Sequence, residues 1–393
     1  SRQYIRRMKK VNPDSIVAVT GCYSQISTDE VAKIDDVDII TGTNEKSTLI
    51  EYINNIKLKK EGKGSGDSSD KSFIKVLAYD ELNDFDEMGT VTSTENRTRA
   101  YIKVQEGCNR FCSYCVIPYA RGPVRSRALS DIVREAKALV DAGCRELVLT
   151  GINTAMYDTE GDGIETAIAA VNEIEGDFRI RLSSLEPSVV DADYVKRLFK
   201  YDKLCHHLHM SAQSGSDEIL KAMNRPYTSE QYVQLAKTVC DFDPVYGLST
   251  DMIVGFPGEK ESDFECSRKL IAHCAFCKTH IFKYSKRPLT KAAEMPGQVS
   301  PQVKNRRADA LQKIAAESAK AFFDMNLALA QQGRNERVLL EEVTADGRHI
   351  TGYTGNYIRA YVLFSESLEL NTFVNVRLVG CYGDGMEAVV VNF

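Results

Sequence analysis

Gly107-Cys108-Asn109-Arg110-Phe111-Cys112-Ser113-Tyr114-Cys115 places three cysteines within eight residues, in the order C-x3-C-x2-C. The segment follows directly on 100–105, an apolar, β-branched stretch that reads as a strand. Three soft thiolates on one loop can hold three irons of a 4Fe–4S cube and leave the fourth iron open to a chelating small molecule. Structural zinc is the competing reading, but it usually takes four ligands in C-x2-C pairs, and no fourth ligand lies close in this loop.

Working outward, a β/α alternation begins at the same strand. Further strands are predicted at 146–151, 179–185, 206–211, 246–255 and 279–284, with helices near 130–142, 164–174, 189–200, 216–223, 229–240 and 259–274. Six β/α units in a row argue for a parallel sheet curled into a full or partial barrel, which builds its sites from loops at the strands' C-terminal ends. A long helix should cover 301–332. From 333 the pattern switches to period two, with five short strands and Gly- and Asp-containing turns, the reading of a small barrel of the oligonucleotide-binding type. Upstream, 1–56 is an α/β piece with strands at 15–20 and 37–41, and two strands are too few for a stable sheet. Lys57 opens a charged, Gly/Ser-rich run to Ser72 that should be an exposed linker, and 73–94 should lie across a neighbouring surface. The expected divisions are therefore 1–56, 57–96, 97–332 and 333–393, in an α/β fold class.

The 393 residues include eleven cysteines, an odd and unevenly spaced set that suits metal or cluster ligation in a reducing, cytoplasmic setting better than a disulfide framework. No apolar run approaches the length needed to span a bilayer, and the opening residues do not read as a signal peptide, so neither a signal peptide nor a membrane partner is expected. The absence of an initiator Met and the helical pattern at residue 1 suggest a longer polypeptide. Net charge is −5, carried as −4 over 1–96, +2 over 97–332 and −3 over 333–393. Bulk charge thus gives no support to nucleic-acid binding, and any such role must rest on local residues.

The cluster motif resembles that of the radical S-adenosylmethionine superfamily, and the extended run GCNRFCSYCVIPYARGPVRSR resembles its methylthiotransferases. The resemblance covers nearly the whole chain. It implies an incomplete flavodoxin-like N-terminal domain, a radical S-adenosylmethionine partial (β/α)6 barrel and a C-terminal TRAM domain. It also implies two 4Fe–4S clusters and S-adenosylmethionine as cofactors. Cys108, Cys112 and Cys115 would be the catalytic ligands of the first cluster. Cys22, in Val19-Thr20-Gly21-Cys22-Tyr23, looks like one of three ligands of an auxiliary cluster whose other two would lie upstream of Ser1.

The same resemblance suggests cofactor contacts. Tyr114 lies in the loop itself, and Asn153, in Thr150-Gly151-Ile152-Asn153, lies where the ligand's amino group is met. Glu186 ends the third strand. Gln213 belongs to His207-Leu208-His209-Met210-Ser211-Ala212-Gln213-Ser214-Gly215, with Ser211 where Pro is usual. Arg225 would hold the methionyl carboxylate, and Gly255 and Phe256 would lie near the adenine. Two local patterns compete for attention. His273-Cys274-x2-Cys277-x2-His280 has metal-like spacing but spans a helix end and a strand start, where a structural role is expected. His206, His207 and His209 alternate along a strand and cannot all face one ligand.

The implied activity is that of a transferase on tRNA. Ala120-Arg121-Gly122-Pro123-Val124-Arg125-Ser126-Arg127 and Tyr284-Ser285-Lys286-Arg287-Pro288-Leu289-Thr290 look like the bacterial subgroup that converts threonylcarbamoyladenosine next to the anticodon to its 2-methylthio derivative, although Lys283 and Leu289 depart from that subgroup's usual Pro and Gly. Isopentenyladenosine tRNA and a ribosomal-protein aspartate are the alternative substrates, and a non-catalytic RNA-binding protein is the reading from another class. The anticodon loop would be met by Arg121, Arg125 and Arg127, and by Arg334, Arg337, Arg359, Tyr361 and Arg377 of the small barrel. The expected partners are tRNA and an electron donor such as flavodoxin or ferredoxin, and the sulfur donor is left open.

Overall fold

The computed structural model describes residues 2–60, 72–92, 98–159 and 161–391. The chain divides into two compact units. The first comprises Ser1–Gly89, Glu106–Phe111 and Cys115–Arg127, and the second Thr90–Gln105, Cys112–Tyr114 and Ala128–Phe393. Most of the expected linker, 61–71, lies outside the described residues.

In the first unit, helices α1 (Arg2–Val11), α2 (Cys22–Ile26), α3 (Thr28–Ala32) and α4 (Leu49–Lys60) accompany a parallel sheet of β1 (Ala18–Val19), β2 (Ile39–Thr41) and β3 (Phe73–Lys75), in that order. β2 is buried along its whole length, as a central β-branched Ile-Ile-Thr run should be. Ile5, Val17, Val31, Val37 and Ile40 form the core beside it. The strand expected at 15–20 shrinks to two residues. The third strand comes from the segment read as a connection: three exposed residues carry no alternation, so only pairing with β2 reveals them. Farther on, Leu82 is fully buried, and a last helix, α5 (Ile117–Arg121), completes this unit.

The second unit holds β4 (Arg99–Lys103), β5 (Glu146–Thr150), β6 (Arg179–Leu182), β7 (Ser184–Leu185), β8 (His207–Met210), β9 (Gly247–Val254) and β10 (Lys278–Lys283). All pair in parallel, β6–β5–β4 and β7–β8–β9–β10. β6 and β7 are the strand expected at 179–185, interrupted at Ser183, whose amide donates to Leu149 O instead (3.0 Å). Six parallel strand positions in chain order make a partial (β/α)6 barrel.

The intervening helices are α6 (Leu129–Asp141), α7 (Ile164–Asn172), α8 (Ala192–Leu198), α9 (Asp217–Ala222), α10 (Ser229–Phe242) and α11 (Glu261–Cys274). They form where apolar spacing and caps agree. α6 buries Ile132, Glu135, Ala136 and Leu139, an i, i+3, i+4, i+7 stripe, and stops before Gly143 at φ +90°. α10 starts on a Thr228/Gln231 capping box. After the short α12 (Lys291–Glu294), α13 (Pro301–Gln331) begins with Ser300 as N-cap and Pro301 in its first turn.

The C-terminal strands β11 (Glu336–Val343), β12 (His349–Tyr353), β13 (Arg359–Leu363), β14 (Phe373–Tyr382) and β15 (Gly385–Val390) close into a barrel in the order β11–β12–β13–β15–β14. Closure leaves no open sheet edge. It is joined to the β/α barrel by buried polar groups. Asn356 Nδ2 donates to Asn326 Oδ1 of α13 (2.8 Å) and to Val245 O (2.9 Å). The largest such group surrounds Glu146, fully buried at the start of β5. Its carboxylate accepts from Arg179 Nε (2.5 Å) and Arg181 Nε (3.0 Å), with Arg99 Nε 3.2 Å away. Arg181 reaches on to Thr354 O and Gly355 O, and Arg99 to Glu341 Oε1 of β11 (2.5 Å). This explains why the β/α barrel and the small barrel, expected as separate segments, fall in one compact unit.

Candidate functional site

None of the eleven cysteines is in a disulfide. Cys108, Cys112 and Cys115 are half-buried, whereas Cys144, Cys205, Cys274 and Cys277 are buried. The loop's start is built by backbone approach. Gly107 sits at φ +73°, and a Cβ there would lie 1.7 Å from Pro123 O, so no other residue fits. The Cys108 amide donates to Gly122 O (3.1 Å), and Asn109 Oδ1 accepts from the Val124 amide (3.0 Å). Phe111, at φ +46°, provides the bend between the first two cysteines. Three accessible thiols at this spacing, with no acidic hard ligand among them, fit the donor set of an iron–sulfur cluster.

Within the second unit, Ser113 ties its part of the loop to α9 and α12. It donates through N to Met223 O (3.0 Å) and through Oγ to Ala222 O (2.8 Å), and its carbonyl accepts from the Ala292 amide (2.8 Å). Beside it, Arg225 links two other expected cofactor residues: Nη1 donates to Glu186 Oε1 (2.5 Å) and Nη2 to the Tyr114 hydroxyl (2.9 Å). Burial pushes the Tyr114 phenol far above its usual range, more than Arg225 lowers it, so it remains an O–H. The third guanidinium nitrogen, Arg225 Nε, is buried with no hydrogen-bond partner, and so is Asn153 Oδ1. One is an orphan donor and the other an orphan acceptor, the pair that an amino acid's carboxylate and ammonium would satisfy. The residues therefore fit S-adenosylmethionine. Asn153 is held by its amide on Gln105 Oε1 (2.9 Å).

Gln213 is buried at φ +63°, its backbone bonded to Asp251 O (2.8 Å) and the Ile253 amide (2.9 Å). Gly255, at φ +72°, donates to Glu259 Oε2 (2.7 Å), which Arg307 also holds (2.6 Å). Phe256 differs from expectation: its ring is fully buried, edge-on to Tyr114 (6.5 Å) and Tyr284 (5.6 Å), so it supports the site from behind. Replacing Arg225 with Gln is expected to weaken S-adenosylmethionine binding by about 2 kcal/mol, roughly 30-fold in Kd, measured by equilibrium dialysis.

Among the expected RNA contacts, burial separates Arg125, Arg127 and Tyr361 from the exposed Arg377. Arg125 is buried and donates to Leu82 O, Arg121 O and Pro123 O, and Arg127 is buried in a bidentate pair with Glu87 (2.7 and 2.8 Å). Arg121 is half-buried on Glu106 (2.6 Å). All three hold the loop that follows the cysteines, because a guanidinium with carbonyls and carboxylates in reach is worth more there than in water. In the small barrel, Arg334 is bidentate on Asp243 (2.9 Å each) and Tyr361 is buried with its hydroxyl on Asp384. Arg337 stacks over Phe373 (3.8 Å) and pairs with Asp177, Arg359 pairs with Glu342 (2.7 Å), and Arg377 is exposed. Tyr382, which stays exposed beside Tyr361 (4.9 Å), is the aromatic that the period-two reading of β14 missed.

Cys22 is half-buried at the start of α2, after Gly21 at φ +99°. The His273–His280 spacing does not assemble: burial pushes the Cys274 and Cys277 thiols up to about 12. His206 pairs with Asp243 (2.9 Å), while His207 and His209 share the opposite face and both meet Ser249 Oγ (3.0 and 2.9 Å).

Residues 102–271 match the Radical SAM superfamily. The whole chain is similar to the threonylcarbamoyladenosine tRNA methylthiotransferase MtaB of Bacillus subtilis, at 36% identity over 402 residues, covering 100% of this chain and 85% of that protein. It is also 33% identical over 391 residues to the tRNA-2-methylthio-N(6)-dimethylallyladenosine synthase of Clostridium botulinum, covering 95% of this chain and 81% of that one. Among solved structures, the radical S-adenosylmethionine methyltransferase TsrM from Kitasatospora setae superposes with a TM-score of 0.54 at 15% identity, over 74% of this chain and 59% of that chain. At that identity the likeness is one of fold.

Proposed function

The chain belongs to the tRNA methylthiotransferases of the radical S-adenosylmethionine superfamily, and from that premise we propose that it methylthiolates the threonylcarbamoyladenosine beside the anticodon. The observation that carries the choice is the 36% identity to the Bacillus subtilis enzyme across the entire chain. A 4Fe–4S cluster on Cys108, Cys112 and Cys115 together with S-adenosylmethionine supplies the radical chemistry that no side chain can perform on an unreactive aromatic carbon.

The protein's own residues bind and orient. Gly107 and the Cys108 amide fix the start of the loop that carries the three thiols. Arg225, fixed by Glu186 and by the neutral Tyr114 hydroxyl, would hold the methionyl carboxylate with its unpaired Nε, and Asn153 Oδ1 would accept from the ammonium. The Gly255 turn, anchored by Glu259, would let backbone approach the adenine. Phe256 and Tyr284 pack edge-on behind Tyr114. Cys22 would contribute to the auxiliary cluster that holds the inserted sulfur. The tRNA anticodon loop would meet Arg377 and Tyr382 of the small barrel, and flavodoxin or ferredoxin would supply electrons.

The likeness to the dimethylallyladenosine enzyme supports a second substrate, isopentenyladenosine. Purified protein with tRNA from cells lacking either modification separates them. Loss of the threonylcarbamoyl group should reduce methylthio product to background, and loss of the isopentenyl group should leave it unchanged. Equal turnover of tRNA without the threonylcarbamoyl group contradicts the assignment.

A further inference from the structure

His209, Asp251 and His280 stand on three adjacent parallel strands, β8, β9 and β10, at positions brought side by side by register. His209 lies opposite Ser249, and Asp251, two residues farther along β9, lies opposite His280. Period two puts Ser249 and Asp251 on the same face of β9. One ligand atom from each of His209, Asp251 and His280 lies within 4.8 Å of the other two. From this geometry we propose that the three form a divalent transition-metal site that shares no ligand with the cysteine loop and goes beyond the methylthiolation itself.

The donor set decides the ligand class. Two imidazoles and one carboxylate suit borderline ions such as Zn2+ or Fe2+, whereas Mg2+ and Ca2+ prefer oxygen-only shells. At metal–ligand bonds of about 2.0–2.2 Å, ligand atoms stand about 3–3.5 Å apart, so small side-chain rotations bring the present arrangement into range. The Asp251 Oδ2 to His209 Nε2 distance is already 3.1 Å.

Two further observations mark it as a built site. Each inner ligand has an orienting partner: Ser249 Oγ meets His209 Nδ1 (2.9 Å), and Ser211 Oγ donates to Asp251 Oδ2 (2.8 Å). Such outer bonds fix ring tautomer and carboxylate direction in metal sites. The three side chains also line a cavity of about 390 Å³, together with Tyr101, Ser183 and Phe282. That space leaves coordination positions for water or a carboxylate oxygen, the arrangement of a three-ligand open site.

The test uses the full chain with its clusters reconstituted, dialysed anaerobically against Zn2+ alone, with zinc and iron counted per chain. Wild type should hold one zinc beyond its iron. His280→Ala, at an exposed position, and Asp251→Asn should each weaken zinc binding at least about 10-fold at unchanged iron content. His273→Ala, which removes the other histidine of the sequence spacing, should bind as wild type. No specific zinc in the wild type, or zinc retained by both His280→Ala and Asp251→Asn, overturns the site. The readout is metal content, so the result stands apart from whether the substrate assignment succeeds.

Discussion

Changing Cys108, Cys112 or Cys115 to Ala should abolish methylthio product in tRNA, a loss on the order of 10³-fold or more, equivalent to about 4 kcal/mol of barrier. The loop has three thiols and no spare ligand within it, so removing any one leaves two-point attachment for a cluster that needs three. The effect should be equally severe at each position and should appear as lost iron and lost cleavage of S-adenosylmethionine, measured as 5′-deoxyadenosine by chromatography. Cys277→Ser makes the contrast: burial raises the pKa of that thiol and keeps it in the core, and its replacement should spare the iron of the loop. A Cys112→Ala protein that still cleaves S-adenosylmethionine would contradict the assignment of the loop.

The second large effect concerns stability. Glu146→Gln should destabilise the second unit by about 3–5 kcal/mol, measured by urea unfolding, because it strands Arg99, Arg179 and Arg181 together without their common anion. At about 2–4 °C per kcal/mol, the midpoint of thermal unfolding should fall by on the order of 10 °C. The pH dependence has a definite sign. Burial alone would raise the Glu146 pKa, but Arg181, Arg179 and Arg99 outweigh it and hold the carboxyl well below the usual range. A depressed carboxylate contributes its full stabilisation above its unfolded value of about 4.3 and loses it as pH falls below that. Wild type should therefore lose stability on acidification below about pH 4.5 more steeply than Glu146→Gln. Equal slopes would show that the three arginines do not depend on this charge.

The parts of the fold visible in the sequence are those carried by local pattern. The six strands of the β/α barrel lie within a few residues of their expected bounds, because they alternate with amphipathic helices whose ends carry caps such as Thr228. β3 was illegible, since Phe73–Lys75 becomes a strand only through β2. The cysteine loop was legible because its chemistry is contiguous. Arg125 and Arg127 were not: charge on a sequence suggests solvent or phosphate, and only the folded chain shows Leu82 O and Glu87 in reach of their guanidiniums. Glu146 gave no signal for a similar reason, its three partners coming from β4 and β6. The same applies to His280, whose sequence neighbours Cys274 and Cys277 point into the core while its partners His209 and Asp251 come from neighbouring strands.

Three thiolates of one loop should hold an iron–sulfur cube with one iron left for S-adenosylmethionine. The deciding experiment is Mössbauer spectroscopy of anaerobically prepared, 57Fe-loaded protein, with and without S-adenosylmethionine. The expected result is a 4Fe–4S signal in which one iron of four changes on adding S-adenosylmethionine, absent from Cys112→Ala. A protein whose iron is indifferent to S-adenosylmethionine, or whose loop takes up zinc in place of iron, would contradict it.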